Sequence, residues 1–237
     1  MSPYSGSIAL PQRAGALIPR SYALAKPGTA LTVFPTTRAS VPDELVAYLA
    51  GVFNDIVEEG RTYPQIEKLS VEEFAAYFFA ADCFIGLLDE APAELAGQEG
   101  GLDRGEAYSL ESVRAGRDWK ECVLGLYYVK PNYPGRSSEL CNGGFVVPPV
   151  HRGLRVGSTL GRSYLHFAPL CGYRGSVFNL VYVSNEASVR IWDGLGFTRA
   201  GLIPQAGRLK SKTPGGEDEL VDAIVFHYDF TKPKTAS

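Results

Sequence analysis

The chain has no excess of positive charge and no long apolar run. Its 237 residues carry a formal net charge of -3, and the pI is near 5.7, which argues against nucleic acid or an anionic membrane surface as the main partner. No segment approaches the ~20 continuous apolar residues of a membrane-spanning helix, and the first residues lack the apolar core of a secretory signal. We therefore expect a soluble protein with a small-molecule ligand. Arg13 and Arg20, among small N-terminal residues, leave a mitochondrial association open.

Signatures of metal binding and of disulfides are also missing. The four cysteines, Cys83, Cys122, Cys141 and Cys171, form no CxxC pair, and the three histidines are scattered. Each cysteine lies within or beside an apolar run, where this residue is usually a small buried side chain. We therefore expect no metal site and no disulfide framework. The compartment that fits free cysteines is the reducing cytoplasm.

Composition divides the chain into an arm and one domain. Residues 1–29 are rich in Pro, Ser, Gly and Ala and are predicted to form an N-terminal arm with one strand around Tyr22. Residues 30–237 are predicted to form a single domain. Within it, the acidic, glycine-rich segment 89–118 has no clear period and is interpreted as a surface insertion.

Apolar periodicity predicts helices and strands in alternating blocks. Ser40 is expected to cap a first helix, and a capping box that begins at Ser70 opens a second. A short later helix is expected to turn Ala187, Ile191 and Leu195 inward. Strands are predicted at residues 31–34, 83–88, 121–129, 140–147, 176–183, 197–202 and 220–230.

Residues 141–161 carry the strongest functional signal. They read as a β-strand, a short basic loop with glycine, and an amphipathic helix. Backbone N–H groups and the positive end of the dipole at such a helix start bind anions, usually phosphate. Arg152 and Arg155 add formal positive charge in the same loop. The sequence therefore predicts a pyrophosphate-binding site.

These motifs resemble the GNAT superfamily of acyl-CoA-dependent N-acetyltransferases. The resemblance rests on Val-Val-Pro-Pro at residues 146–149, the loop at 152–157, Asn-Glu-Ala-Ser at 185–188 and Gly-Leu-Gly-Phe at 194–197. It implies an α/β (α+β) fold, with a mixed, mostly antiparallel central sheet, a splayed parallel strand pair and flanking helices. The family's loop pattern is Arg/Gln-x-x-Gly-x-Gly/Ala, and Arg155 stands at its first glycine.

The resemblance also implies acetyl-CoA as the cosubstrate and a small amine as the acceptor. The residues that it places against acetyl-CoA are Phe145, Val146, Val147, Arg152, Gly153, Leu154, Arg155, Val156, Gly157, Ser158 and Asn185.

A closer resemblance is to the fungal L-azetidine-2-carboxylate acetyltransferases. It rests on Cys-Asn-Gly-Gly-Phe at residues 141–145, Ser-Val-Phe-Asn-Leu-Val at 176–181, Arg-Ile-Trp at 190–192 and Thr-Tyr-Pro-Gln at 62–65. Those enzymes acetylate proline-like imino acids, so the resemblance implies this acceptor class and a homodimer. It implies that Asn142 and Asn179 are the catalytic residues at the substrate. Tyr63 and Leu180 are expected beside them in the substrate pocket.

Acetyl transfer needs an oxyanion donor and a route for protons. The thioester carbonyl is expected to meet a strand-edge N–H near Phe145 or Val146, a type of contact worth ~3 kcal/mol to the transition state. Asn142 and Asn179 are neutral, so they orient the amine or polarise the carbonyl and are not general bases. Many relatives place an acidic tyrosine where this chain has Trp192, whose indole N–H is a poor acid. The sequence therefore assigns no general acid, no general base and no partner for a substrate carboxylate.

Other readings stay open. The acceptor is alternatively a polyamine, an amino sugar or a peptide N-terminus; an acidic groove would favour polyamines and a cationic pocket an imino acid. A non-catalytic acyl-CoA-binding module is a further alternative, which the missing tyrosine favours. Asn142 beside Gly143 and Gly144 also fits a simple bulge, and Asn185 fits a helix cap.

Overall fold

A computed structural model describes residues 10–98, 100–213 and 215–232 of the chain. The strands are β1 Arg20–Ala23, β2 Thr29–Thr36, β3 Asp82–Glu90, β4 Leu102–Asp103, β5 Val123–Pro131, β6 Leu140–Asn142, β7 Phe145–Val146, β8 Gly175–Tyr182, β9 Thr198–Leu209 and β10 Glu219–Asp229. The α-helices are α1 Asp43–Glu59, α2 Val71–Phe78, α3 Leu110–Arg114, α4 Trp119–Cys122, α5 Val156–Leu170 and α6 Glu186–Gly194.

The strands form one sheet in the order β4-β1-β2-β3-β5-β6-β8-β10-β9, and β7 pairs with β5. Neighbouring strands are antiparallel except β6 and β8, which are parallel. The predicted fold class, a mostly antiparallel sheet with one parallel pair and flanking helices, is confirmed.

Alternation along β5 divides the core between the two faces of the sheet. Leu126 and Tyr128 pack with α1 and α2 on one face, whereas Tyr127 and Val129 pack with α5 on the other. The face of α1 that the periodicity predicted is buried in the first of these cores: Leu45, Leu49, Val52, Phe53 and Ile56.

The local signals for helix starts were right at Ser70 and Asn185 and wrong at Ser40. Ser70 caps α2 as predicted, because its Oγ accepts from Glu73 N at 3.1 Å while the Glu73 carboxylate accepts from Ser70 N at 2.8 Å. Ser40 does not cap α1. It closes a 3₁₀ turn with Thr37, and α1 begins at Asp43 with the extended Pro42 as its N-cap. A proline has no N–H and a fixed φ, so it fits that boundary without a side-chain cap.

Three other elements differ from expectation. The strand predicted at 121–129 begins only after α4 and continues through Pro131. The strand predicted at 140–147 is interrupted between β6 and β7. In α6, Ile191 and Leu195 pack against the core as predicted, whereas Ala187 is exposed and the buried residue is Trp192.

The ends of the sheet include segments whose composition suggested loops. The strand expected around Tyr22 is β1, which pairs with β2 and, on its other side, with β4 from the acidic segment 89–118. The same segment contains α3, which buries Leu110 and Val113. No helix among the described residues is long and apolar enough to cross a membrane.

Candidate active site

The parallel strands β6 and β8 separate after two residue pairs. Leu140 lies opposite Gly175 and Cys141 opposite Ser176, and the register ends there. Beyond that point β7 stays with β5, with Phe145 opposite Tyr127. A gap therefore opens between β7 and β8, and we call it the strand opening.

One backbone amide faces this opening. Tyr63 Oη donates to the backbone carbonyl of Phe145 at 3.1 Å, so that carbonyl points away from β5. The N–H and C=O of a strand residue point to the same side, and adjacent residues alternate. The Gly144 carbonyl accordingly accepts from Tyr128 N on β5 at 3.4 Å. Of the two residues proposed from sequence, Phe145 directs its amide into the opening and Val146 lies against β5.

The two glycines before Phe145 are required by close contacts. A Cβ at Gly144 would lie 2.5 Å from the Tyr128 ring, and a Cβ at Gly143 would lie 2.8 Å from the Tyr164 ring on the opposite face. No side chain fits at either position. The glycines therefore explain the break between β6 and β7 and let Tyr128 pass beneath the chain.

Three asparagines form one hydrogen-bonded cluster beside the opening. Asn132 Oδ1 accepts from Asn142 Nδ2 at 3.0 Å and from Asn179 Nδ2 at 2.6 Å. Asn132 Nδ2 donates in return to Asn179 Oδ1 at 3.1 Å, and Tyr133 Oη lies 3.4 Å from the same oxygen. The structure thus brings Asn142 and Asn179 together through Asn132, which sequence reasoning missed because it lies in an apparent turn.

Lys130 and three tyrosines line the same face of the sheet. Lys130 is opposite Asn142 in the β5–β6 register, so both side chains project to the α1–α2 side. Its Nζ lies 3.9 Å from the ring centre of Tyr77 and 4.1 Å from that of Tyr128. Burial lowers the pKa of Lys130 to about 8. Burial also raises the pKa of Tyr63 well above its ordinary value.

The basic loop leads into α5 through a left-handed residue. Arg155 is the N-cap with φ 61° and ψ 13°, the conformation that glycine usually supplies. Its carbonyl accepts from Ser158 Oγ at 2.8 Å and from Thr159 N at 3.1 Å. The substitution of the family's glycine by arginine therefore keeps the backbone geometry. The first-turn amides of α5 remain available to an anion.

The two loop arginines have different surroundings. Arg152 makes two hydrogen bonds of 3.0 Å to the carboxylate of Glu59, at the end of α1. Within the described residues no carboxylate forms an ion pair with Arg155. Arg155 is therefore the loop guanidinium without a carboxylate partner, whereas Arg152 is held by α1. Gly153 and Leu154 are exposed between them, and Val156 is buried.

The other residues singled out from sequence have structural contacts. Asn185 caps α6, accepting from Ser188 N at 3.2 Å. Trp192 is 5% exposed and donates its indole N–H to Ser188 Oγ at 2.9 Å. It packs on Phe145 and Phe178 beneath the opening, so its role in the structure is packing. Leu180, expected in the pocket, is exposed on β8.

The fold matches that of solved acetyltransferases. A GCN5-related N-acetyltransferase from Kribbella flavida superposes with a TM-score of 0.60 at 22% identity, over 84% of this chain and 97% of that one. The putative acetyltransferase yncA from Salmonella typhimurium, solved with acetyl-CoA, gives a TM-score of 0.59 at 15% identity, over 87% and 98% of the two chains. The fold is that of the GCN5-related N-acetyltransferases.

Sequence comparison with curated proteins extends this to a family. No protein-family model matches the chain. It is 39% identical over 200 residues to N-acetyltransferase aca1 of Schizosaccharomyces pombe, covering 84% of this chain and 87% of that protein. It is also 31% identical over 210 residues to Protein SPT10 of Saccharomyces cerevisiae, covering 81% of this chain but only 32% of that longer protein. The chain belongs to the N-acetyltransferase family of aca1.

Proposed function

We propose that the protein transfers the acetyl group of acetyl-CoA directly to the ring nitrogen of a small proline-like imino acid. The observation that carries this proposal is the strand opening. There an inward-facing amide and a cluster of neutral carboxamides lie side by side.

The residues present fit acetyl-CoA. The amides at the start of α5 and the Arg155 guanidinium suit its pyrophosphate. The Phe145 amide faces the opening, where a thioester carbonyl would accept its hydrogen bond. When bound, acetyl-CoA supplies an activated acetyl group with a fair leaving group. Trp192, at the position of the family's tyrosine acid, does not take over that role, because its N–H is already donated to Ser188 Oγ within α6. In this proposal positioning carries most of the rate.

The acceptor side suits a small, polar, anionic amine. Asn142 uses an N–H of its amide to bond Asn132, which leaves its Oδ1 to accept from an acceptor N–H. Both the oxygen and the nitrogen of the Asn179 carboxamide are hydrogen-bonded to Asn132, so Asn179 is fixed and supports the position of Asn142 through Asn132. Lys130 lies on this face of the sheet, and its positive charge disfavours a polyamine and suits a carboxylate.

The test measures thiol release from acetyl-CoA with azetidine-2-carboxylate, cis-4-hydroxyproline, proline and spermidine. Wild type is compared with Asn142→Ala and Asn179→Ala. Asn54→Ala is the matched control, since the Asn54 amide bonds the Leu69 backbone at 2.8 and 2.9 Å in the α1–α2 connection. Turnover of the imino acids, lost in the two site variants and kept in the control, is the expected result. Turnover of spermidine alone would refute the acceptor class, and coenzyme A binding without turnover of any acceptor would favour a non-catalytic module.

We also infer a homodimer in the cytoplasm. The first eight residues of β9 are exposed at the edge of the sheet, and they include the apolar Leu202 and Ile203. An apolar strand edge of this kind is normally covered, and a second copy would cover it. Four free buried cysteines suit a reducing compartment. Sedimentation of wild type and of Leu202→Lys tests the dimer: a shift to monomer is expected in the variant.

A further inference from the structure

Lys130 is a half-buried cation in an aromatic surround. Its ammonium lies over the rings of Tyr77 from α2 and Tyr128 from β5, at 3.9 and 4.1 Å from their centres. The two tyrosines bond each other through their hydroxyls at 3.1 Å, so the surround is fixed from two elements. An aromatic face attracts a cation, so these contacts stabilise the charged form of lysine more than an aliphatic environment would.

No anion neutralises this cation within the part of the chain that the structure describes. Eleven ion pairs are present there, and none includes Lys130. The titratable groups packed around it are phenols: Tyr77 and Tyr128 in contact, and Tyr63 close to both. Burial without a counterion lowers the pKa of Lys130 to about 8, which leaves it mostly charged at neutral pH. A partly buried cation without a counterion is unusual, because the rings offset only part of the cost of desolvating the charge.

The ammonium also lies beside the strand opening. Tyr128 Oη would be 2.8 Å from a Cβ at Gly144, the residue before Phe145, so the ring below Lys130 borders the glycine pair. Across the β5–β6 register, Asn142 projects on the same side. An acceptor nitrogen at Asn142 would therefore have its neighbouring groups within reach of Lys130.

We propose that Lys130 is the specificity-determining residue that binds the carboxylate of the acceptor. This deepens the proposed function and rests on it. A 2-carboxylate is two bonds from the ring nitrogen, so one molecule spans Asn142 and the ammonium. An anion bound there supplies the missing counter-charge, whereas a polyamine brings a second cation to it. Amines that carry an α-carboxylate are thus the acceptor class, and the same amines without the charge are poor substrates.

The experiment compares azetidine-2-carboxylate with azetidine-2-carboxamide, which has the same ring and no negative charge. Steady-state constants are measured for wild type, Lys130→Met and Lys130→Arg. Lys120→Met is the matched control, since Lys120 is a well-exposed lysine on α4. We expect Lys130→Met to raise KM for the carboxylate by about 10- to 100-fold, as for loss of a charge-assisted pair. KM for the carboxamide should change less than about 3-fold, and Lys130→Arg should restore part of the carboxylate preference.

Two outcomes would overturn the role of Lys130, and a third would overturn only the proposed imino-acid function. Equal losses for both acceptors in Lys130→Met, seen in kcat with KM unchanged, would make Lys130 a proton acceptor instead. Unchanged constants would make it a structural residue, while the proposed imino-acid function would stand. If wild type acetylates neither azetidine but acetylates another α-amino acid with the same Lys130 dependence, the imino-acid proposal fails and the carboxylate site is kept. Coenzyme A binding, followed by thermal shift in every variant, confirms that each protein is folded.

Discussion

Tyr63 and Phe145 are 82 residues apart in sequence and are joined by a 3.1 Å hydrogen bond from a phenol hydroxyl to a backbone carbonyl. The bond ties the α1–α2 connection to the strand whose amide faces the opening. Tyr63 also packs edge-on against Phe53 of α1, with ring centres 5.0 Å apart. The position of the Phe145 amide is therefore set from two sides, by β5 and by this tyrosine.

Tyr63→Phe should lower kcat more than it changes KM for acetyl-CoA. The substitution keeps the ring packing and removes a hydrogen bond worth about 0.5–1.5 kcal/mol. Freed from that restraint, β7 holds the amide less well aligned, and we expect kcat to fall about 3- to 10-fold. Tyr48→Phe, a half-buried tyrosine of α1 beside Cys122, is the control and should leave kcat unchanged. An unaltered kcat in Tyr63→Phe would show that β5 alone fixes the amide.

Arg155→Gly separates backbone geometry from side-chain charge. Arginine at φ 61° is strained by about 1–2 kcal/mol, and glycine relieves this at some cost in chain entropy. We expect the free energy of unfolding to rise by up to about 1 kcal/mol, while KM for acetyl-CoA rises several-fold because a phosphate partner is lost. Arg155→Ala should show the same KM without the gain in stability. If neither variant alters KM, the side chain does not touch the cofactor.

Asn132→Ala should impair the enzyme although Asn132 was not predicted from sequence. Its amide orients both Asn142 and Asn179 through three hydrogen bonds. Without it the two carboxamides are free to rotate, and we expect kcat/KM for the acceptor to fall at least about 10-fold. Coenzyme A binding should be unaffected, since the cluster is on the acceptor side. A loss confined to thermal stability would reduce the cluster to a structural role.

Gly125→Ala should disturb the amide strand directly. A Cβ at Gly125 would lie 2.6 Å from the carbonyl oxygen of Val146, so β7 must move away from β5. Overpacking of this kind costs about 1–3 kcal/mol, and the displaced strand should also lose activity. Gly86, which pairs with Gly125 across β3 and β5, provides the control.

In Gly86→Ala the new Cβ would meet Leu31 Cδ1 at 2.7 Å, the end of a flexible side chain. We therefore expect Gly86→Ala to lower the melting temperature but to keep kcat among folded molecules. Equal kcat losses in both variants would contradict the assignment of the Phe145 amide, since the atoms nearest a Cβ at Gly86 belong to Leu31, Leu160 and Gly125 and not to β7.

The elements that sequence predicted well are those set by neighbours in the chain. Ser70 and Glu73 are three residues apart, and their reciprocal cap formed as expected. Ser40 failed because a second local signal, Pro42, lies two residues closer to the helix. The interruption at Gly143 and Gly144 depends on rings from Tyr164 and Tyr128, whose approach no local pattern reveals.

The site residues that the sequence did not predict also depend on contacts with distant parts of the chain. Lys130 reads as the polar end of an apolar strand, and its aromatic surround forms only when α2 brings Tyr77 against Tyr128, 51 residues away in sequence. Asn132 reads as part of a turn until β8 brings Asn179 to it, 47 residues later. The motifs that carried the family resemblance, in contrast, are contiguous, which is why the loop before α5 and the parallel pair were foreseen.

The stability of the protein should depend on pH through Lys130, in a direction that its burial fixes. Burial lowers its pKa in the folded state to about 8 from 10.5, so the unfolded chain binds more protons between these two values. The free energy of unfolding therefore rises with pH across that window, and the penalty for burying the charge is fully present below it. With a discount for partial solvent screening, the penalty is about 1–2 kcal/mol.

Lys130→Met removes that penalty. We expect the variant to be more stable than wild type at pH 7 and the difference to shrink toward pH 10.5. Urea unfolding at pH 7, 8, 9 and 10 measures this difference in the free energy of unfolding. The contributions of other titrating groups cancel in the difference, because both proteins share them. Lys120 is an exposed lysine, so the stability difference between Lys120→Met and wild type should not change with pH in this way. Adding a saturating carboxylate acceptor should narrow the gap at pH 7, because a bound anion offsets the buried charge in wild type alone. A constant difference at every pH would mean that Lys130 is as well solvated in the folded protein as in the unfolded chain.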